Sequence, residues 1–333
     1  MTQRNDTRPA LVLSRRTALL SGGSAALVAA SGLPVRAQEK FPSKPIEVVT
    51  HAGVGGGTDI TARMMMVQAP GVFGTELAVV NKTGGSGAAS LAYAASRPKD
   101  GYTIMLITQS HLLTMIRSKT PTQLADLVPL ARATDDPQIV MVRKDSPLKN
   151  VQDLLAAGKA RSLKFGITQL GGVDHVGVFG FAKTAGIQAV TVVPFRGGGD
   201  IVINLVGGNI DCGMLNFAEA ESQIKSGDVR CLLVLAEKRM KSLPDVPTGK
   251  EAGINSIFST VRGFVTLKGT PEDRVKTLEE GLLKSMDGPL YKAYLDSSGQ
   301  SPESVVGASA WGAQLAEFDR EGKLALEAMG LLK

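Results

Sequence analysis

Cysteine is nearly missing from this sequence: 333 residues hold two, along with three histidines, one tryptophan and four tyrosines. Two thiols make no disulfide framework, and no H-E-x-x-H or paired Cys/His spacing is present, so nothing recommends a zinc site. Aromatics at 5% leave few platforms for stacking successive bases, which argues against a single-stranded nucleic-acid binder. A one-signed surface is missing as well. Of the formal charge of +6, five arginines against one aspartate in the first 37 residues account for +4, and the remaining +2 makes no phosphate-backbone surface. Beyond that leader no stretch holds the eighteen or so uninterrupted apolar residues of a transmembrane helix.

What is present is a large apolar complement, 43% hydrophobic against 20% charged, enough for one large α/β unit or two domains. The 38 glycines cluster without a three-residue period and stand beside only 16 prolines, so collagen-like and low-complexity chains are excluded. Ser14-Arg15-Arg16-Thr17-Ala18-Leu19 opens a weakly apolar run that ends at Leu33-Pro34 and is followed by Val35-Arg36-Ala37. That is the order of a charged region, an apolar region and a small-residue cleavage site. The paired arginines resemble a twin-arginine signal, with an ordinary Sec signal as the alternative. Either route predicts removal of residues 1–37 and a periplasmic chain beginning at Gln38, with no leader cysteine for lipid attachment.

Nine β-branched runs (46–50, 77–80, 102–107, 139–142, 163–167, 189–193, 210–215, 229–235 and 261–267) alternate with helix-like segments at 58–69, 174–185 and 200–206. This rhythm predicts an α/β fold with parallel strands and helix N-termini at their carboxyl ends. Nine strands overfill one core. The polar stretch Thr134-Asp135-Asp136-Pro137 and the stretch Phe258-Ser259-Thr260 are the expected crossings, giving lobe 1 as residues 39–138 plus 261–333 and lobe 2 as residues 139–260. Cys212 and Cys231 fall in apolar strand-like runs and read as free core thiols.

Four glycine-rich loops lie at strand-to-helix junctions: Gly53 to Asp59, Thr83 to Gly87, Thr168 to Gly172 and Arg196 to Asp200. The first is not a dinucleotide fingerprint, because Thr58 stands where the third glycine belongs, and no G-K-[ST] exists for a P-loop. Free backbone N–H groups at such junctions suit a small anion, with Arg196 either adding charge-assisted bonds or standing as a solvated surface charge. A branched Cβ at Gly57 is expected to obstruct both a positive φ and the anion's approach.

Several landmarks point further: Gly55-Gly56-Gly57-Thr58-Asp59-Ile60-Thr61-Ala62-Arg63, Asp100-Gly101-Tyr102, Val193-Pro194-Phe195-Arg196-Gly197-Gly198, Gly207-Gly208-Asn209-Ile210-Asp211 and Leu243-Pro244-Asp245-Val246-Pro247-Thr248. With them the chain, from Phe41 to its C-terminus, resembles the tripartite tricarboxylate transporter substrate-binding proteins, the Bug or TctC family. The resemblance implies a two-lobed type II periplasmic-binding fold, each lobe a mainly parallel sheet flanked by helices, with the ligand in the interlobe cleft. It further implies a monomer without cofactor or metal, which captures a di-, tri- or aromatic carboxylate and hands it to a membrane permease. A sensor kinase is the alternative partner. The expected ligand-binding set is His51, Gly55, Gly56, Gly57, Thr58, Asp59, Ser86, Gln109, Ser110, Thr168, Gln169, His175, Arg196, Gly197 and Asn216. Thr50-His51 replaces the family's Pro and aromatic, and Gln169 and Gly172 replace its Gly and Ser, so the ligand is not inherited from any relative.

An enzyme is the weaker expectation. His51, His111 and His175 lie near loop ends, where Ser86 or Ser110 could serve as nucleophile in a periplasmic hydrolase. The run Gly84-Gly85-Ser86-Gly87-Ala88, however, ends in alanine and makes no G-x-S-x-G elbow.

Overall fold

The computed structural model describes residues 40–332, and the expected leader lies outside them. Among the described residues there are ten strands: β1 (Ile46–Thr50), β2 (Leu77–Asn81), β3 (Thr103–Thr108), β4 (Leu127–Arg143), β5 (Leu163–Ile167), β6 (Val190–Pro194), β7 (Cys212–Asn216), β8 (Val229–Val234), β9 (Ser259–Leu267) and β10 (Val306–Gly307). They pair in the order β2-β1-β3-β9-β4-β7-β5-β6, with β8 and β10 both added to β4. The outer strands are parallel, β1 with β2 and β3, β5 with β6 and β7. The middle is antiparallel, because β9 returns between β3 and β4 while β7 and β8 run against β4.

The apolar runs are explained by burial on both faces. Along β1, Ile46 and Val48 enter one core with Ile104, Leu106 and Phe264. Val49 faces the opposite core with Met105, Val265 and Trp311. The second half repeats the plan: Phe165, Cys212 and Met214 on one side, Ile139, Met141 and Leu215 on the other. Both cysteines are free thiols. Helices Gly57–Met66, Ala88–Ala95, Val173–Thr184 and Gly198–Val206 follow β1, β2, β5 and β6, so their N-termini collect at the strands' carboxyl ends.

The stretch 134–137, one of the expected crossings, is itself strand. β4 runs 17 residues, pairing with β9 through Pro137 and then with β7 and β8 from Gln138 onward. Asp-Asp-Pro has poor strand propensity, but the ladder with β9 overrides it. The prolines sit where the ladder tolerates them, Pro129 at a register shift and Pro137 where β4 changes partner. The Gln138 N–H then donates to Phe258 O at 3.0 Å, which ties β4 to the residue just before β9.

Candidate ligand-binding site

The turn after β1 is built around a buried carboxylate. Gly55, at φ +80°, donates its N–H to Asp59 Oδ2 at 2.9 Å, and Asp59 also accepts from Arg63 Nε (2.9 Å) and Asn81 Nδ2 (2.8 Å). Burial alone would raise the Asp59 pKa, but these hydrogen bonds outweigh it and hold the carboxyl below its ordinary value. Asp59, 1% exposed, therefore shapes the turn from behind. The helix start itself has no side-chain cap: Gly56 is extended, and Thr58 is buried. Its backbone donors are left for another acceptor.

Beneath this turn lies the crossing of β4 and β9. Asp136 pairs in register with Thr260, and Thr134 with Arg262. Side chains two apart share a face, so Asp136 and Gln138 stand with Thr260 and Arg262. Arg262 is 7% exposed, donates from Nη1 to Asp136 Oδ2 (3.1 Å) and Thr134 Oγ1 (3.4 Å), and brings Nη2 to 2.8 Å from where a Cβ on Gly57 would stand. Steric exclusion at Gly57 thus comes from this guanidinium; the positive φ in the turn belongs to Gly55. Burial pushes the Asp136 carboxyl up to about 6 against the attraction of Arg262. Arg262 Nε, Asp136 Oδ1 and Gln138 Oε1 are buried without a hydrogen-bond partner among the described residues.

The second half meets the same floor. Asp174, at the start of the helix after β5, accepts from Thr168 N (3.0 Å) and Oγ1 (2.5 Å) and from Gln138 Nε2 (3.4 Å). His175 Nδ1 accepts from Gly171 N at 2.9 Å, which shapes the loop carrying Gln169. Asn216 donates from Nδ2 to Asp136 O (2.8 Å), and its N–H donates to Glu219 Oε2 (3.0 Å). Glu219 keeps an exposed surface. The protein around it, with the Asp174 charge, pushes its carboxyl up to about 7. Its other oxygen lies against Gly198, one residue after Gly197.

Other expected residues have different posts. Gln109 is committed at both ends, donating to Ser259 O (2.7 Å) and accepting from Val261 N (3.0 Å), so it fastens β9. Ser110 donates its N–H to Thr108 Oγ1 in a helix cap. Ser86 is held at φ +53° with its hydroxyl buried and without a partner among the described residues. Arg196 is exposed and makes no hydrogen bond or ion pair among the described residues.

His51 and His111 stack edge to face, their centroids 4.4 Å apart. His111 Nδ1 accepts the Thr108 N–H at 3.1 Å, so the ring proton sits on Nε2 and points at Ser90 Oγ, 3.1 Å away. That is the wrong order for activating a serine. Burial, then Arg262, lowers His51 to about 4, and burial lowers His111 well below its ordinary range. Both are neutral at pH 7.

Arg262, Asp136, Asp174 and Glu219 join the site without having been singled out from sequence. Two left signals: a lone arginine inside the apolar run 261–267, and Asn216-x-x-Glu219, a capping-box spacing.

The comparisons with known proteins agree with one another. The model of the tripartite tricarboxylate transporter family receptor, TctC, matches residues 61–325. The UPF0065 protein in the gbd 5' region of Cupriavidus necator is 29% identical over 334 aligned positions, covering 96% of this chain and 99% of that one. The crystal structure of a TctC solute binding protein from Polaromonas is 29% identical with a TM-score of 0.72, over 86% of this chain and 99% of that one. MatC from Rhodopseudomonas palustris, solved with bound malate, shares the fold at TM-score 0.75 and 23% identity, over 86% and 100%. The fold is therefore the two-lobed α/β architecture of solute receptors, not that of an enzyme family. With glycine turns from both halves facing one buried crossing, and a family match over most of the sequence, the chain belongs to the tripartite tricarboxylate transporter receptor family, TctC.

Proposed function

We propose that this protein is a periplasmic solute receptor that captures a small carboxylate between two lobes and delivers it to a tripartite tricarboxylate-type permease. One observation carries the reading: an uncapped helix start at Gly57 stands over Arg262, whose Nε has no partner and whose one carboxylate partner, Asp136, is pushed up to about 6. A guanidinium and a helix N-terminus both favour an anion. The lobes are residues 39–138 with 261–333, and 139–260, joined through β4 and β9. His51, Gly55 to Thr58, Ser86, Thr168, Gln169, His175, Gly197 and Asn216 line or shape the cleft. Malate in MatC supports a carboxylate here too. The leader exports the chain and is removed before Gln38.

The test is a thermal-shift screen of the mature protein against mono-, di- and tricarboxylates, aromatic acids included. A ligand at a hundred times its Kd adds about 2.7 kcal/mol to stability, a shift of several degrees. No concentration-dependent shift with any carboxylate would sink the proposal.

A further inference from the structure

The cleft floor carries more acid than base. Around Glu219 the charged groups are Asp174 at the start of the helix after β5, Asp136 on β4 and Arg262 on β9, three carboxyl groups in all against one guanidinium. Asp174 is committed through both oxygens, to Thr168 and Gln138. Two acceptors are not. Asp136 Oδ1 is buried without a partner among the described residues, on a residue 3% exposed. Glu219, an exposed residue with Oε2 fixed by the Asn216 N–H, makes no ion pair among the described residues and holds Oε1 beside Gly198.

An unsubstituted di- or tricarboxylate would bring its second and third negative charges against these acids, with Arg262 the one buried cation among the described residues to balance them. A ligand with a cationic donor would fill the unpaired acceptors instead. Resting on the receptor reading above, we propose that the solute is zwitterionic, a small carboxylate that also bears an ammonium group, with its carboxylate toward the Gly57 helix start and Arg262 and its ammonium on Glu219 Oε1. The raised Glu219 value agrees with this placement, since desolvation by the surrounding protein and then the Asp174 charge disfavour a lone negative charge there. An ammonium reverses the balance, so binding near pH 7 draws a proton off Glu219.

Calorimetry on the wild-type protein with matched pairs tests this: propanoate and alanine, succinate and aspartate, glutarate and glutamate, 3-phenylpropanoate and phenylalanine. In at least one pair the amino acid should bind about tenfold or more tighter than its des-amino partner, as a charged hydrogen bond predicts. Repeating that titration in buffers of different ionisation enthalpy should reveal proton release near pH 7. Glu219→Gln should erase the preference. Des-amino acids binding equally or better in every pair would overturn the zwitterion while leaving a carboxylate receptor standing, and so would a preference untouched by Glu219→Gln. Silence from all eight acids and from the wider carboxylate screen would remove both.

Discussion

Replacing Gly57 with alanine tests the contact between the first helix and the crossing strands. Gly57 has no positive φ, so a methyl group placed there in open space would stabilise by about 0.4–1 kcal/mol through chain entropy. The space is not open: the added Cβ meets Arg262 Nη2 at 2.8 Å, Cζ at 3.4 Å and Nε at 3.6 Å. The guanidinium has to retreat by roughly half an ångström to reach ordinary contact distance. Only 7% exposed and tied to Asp136 at 3.1 Å, it has little room to do so. A hydrogen bond between charged groups contributes about 1.5–3 kcal/mol, so weakening it outweighs the entropic gain and leaves a net loss of about 1–2 kcal/mol. Thermal and urea unfolding, followed by the fluorescence of Trp311, should show Tm lower by about 2–8 °C. Gly55→Ala is the control for backbone strain: nothing lies within 4 Å of its Cβ position, yet its φ of +80° penalises any side chain. In an Arg262→Lys background the Gly57→Ala effect should shrink. A wild-type or raised midpoint for Gly57→Ala, or an undiminished loss in that background, would refute the reasoning.

Other perturbations have equally definite outcomes. Gly263→Ala places a methyl group inside the ring of the fully buried Trp311, so it should cost about 1–3 kcal/mol and shift the indole emission to the red, whereas unaltered emission and midpoint would contradict that packing. His51 has a folded value of about 4, below its ordinary 6.5, so its contribution is complete above pH 6.5 and is lost as pH falls toward 4. Urea midpoints across that window should therefore fall more steeply in wild type than in His51→Asn, and parallel curves would count against it. Arg196→Ala should leave Tm unchanged, because the exposed side chain has no partner among the described residues, and a weakened affinity for the best acid would place its guanidinium at the ligand. Changing both Arg15 and Arg16 to Lys should block export, with undiminished periplasmic yield pointing to the Sec route.

Much of the scaffold is legible in the residues because its signals are local. A β-branched run such as Ile46–Thr50, closed by a glycine cluster, needs no knowledge of its neighbours to read as strand, turn and helix. The crossing is legible only in part. Asp135-Asp136-Pro137 looks like a loop because strand propensity is judged without partners, whereas β9 lies more than a hundred residues later in the chain. The ionised floor is harder still. Asp136, Asp174, Glu219 and Arg262 are each unremarkable where they stand, and they become one electrostatic unit only once β4, β9 and two helix starts meet. Arg196 shows the converse: a charge beside glycines draws the eye in sequence and stands exposed in the fold.

The late return of β9 also dictates when the molecule can be finished. Leu127 pairs with Leu267 and Met105 with Val265, so the closing partner arrives after about 140 further residues have been made. Throughout that interval β3 offers a bare apolar edge and the first half of β4 lacks its main neighbour. Such edges invite pairing with other chains. A ribosome that stalls, or a truncation, anywhere between residues 143 and 259 therefore yields no smaller working half. It yields a sheet split down its middle, a substrate for chaperones and proteases until the last third of the polypeptide closes it.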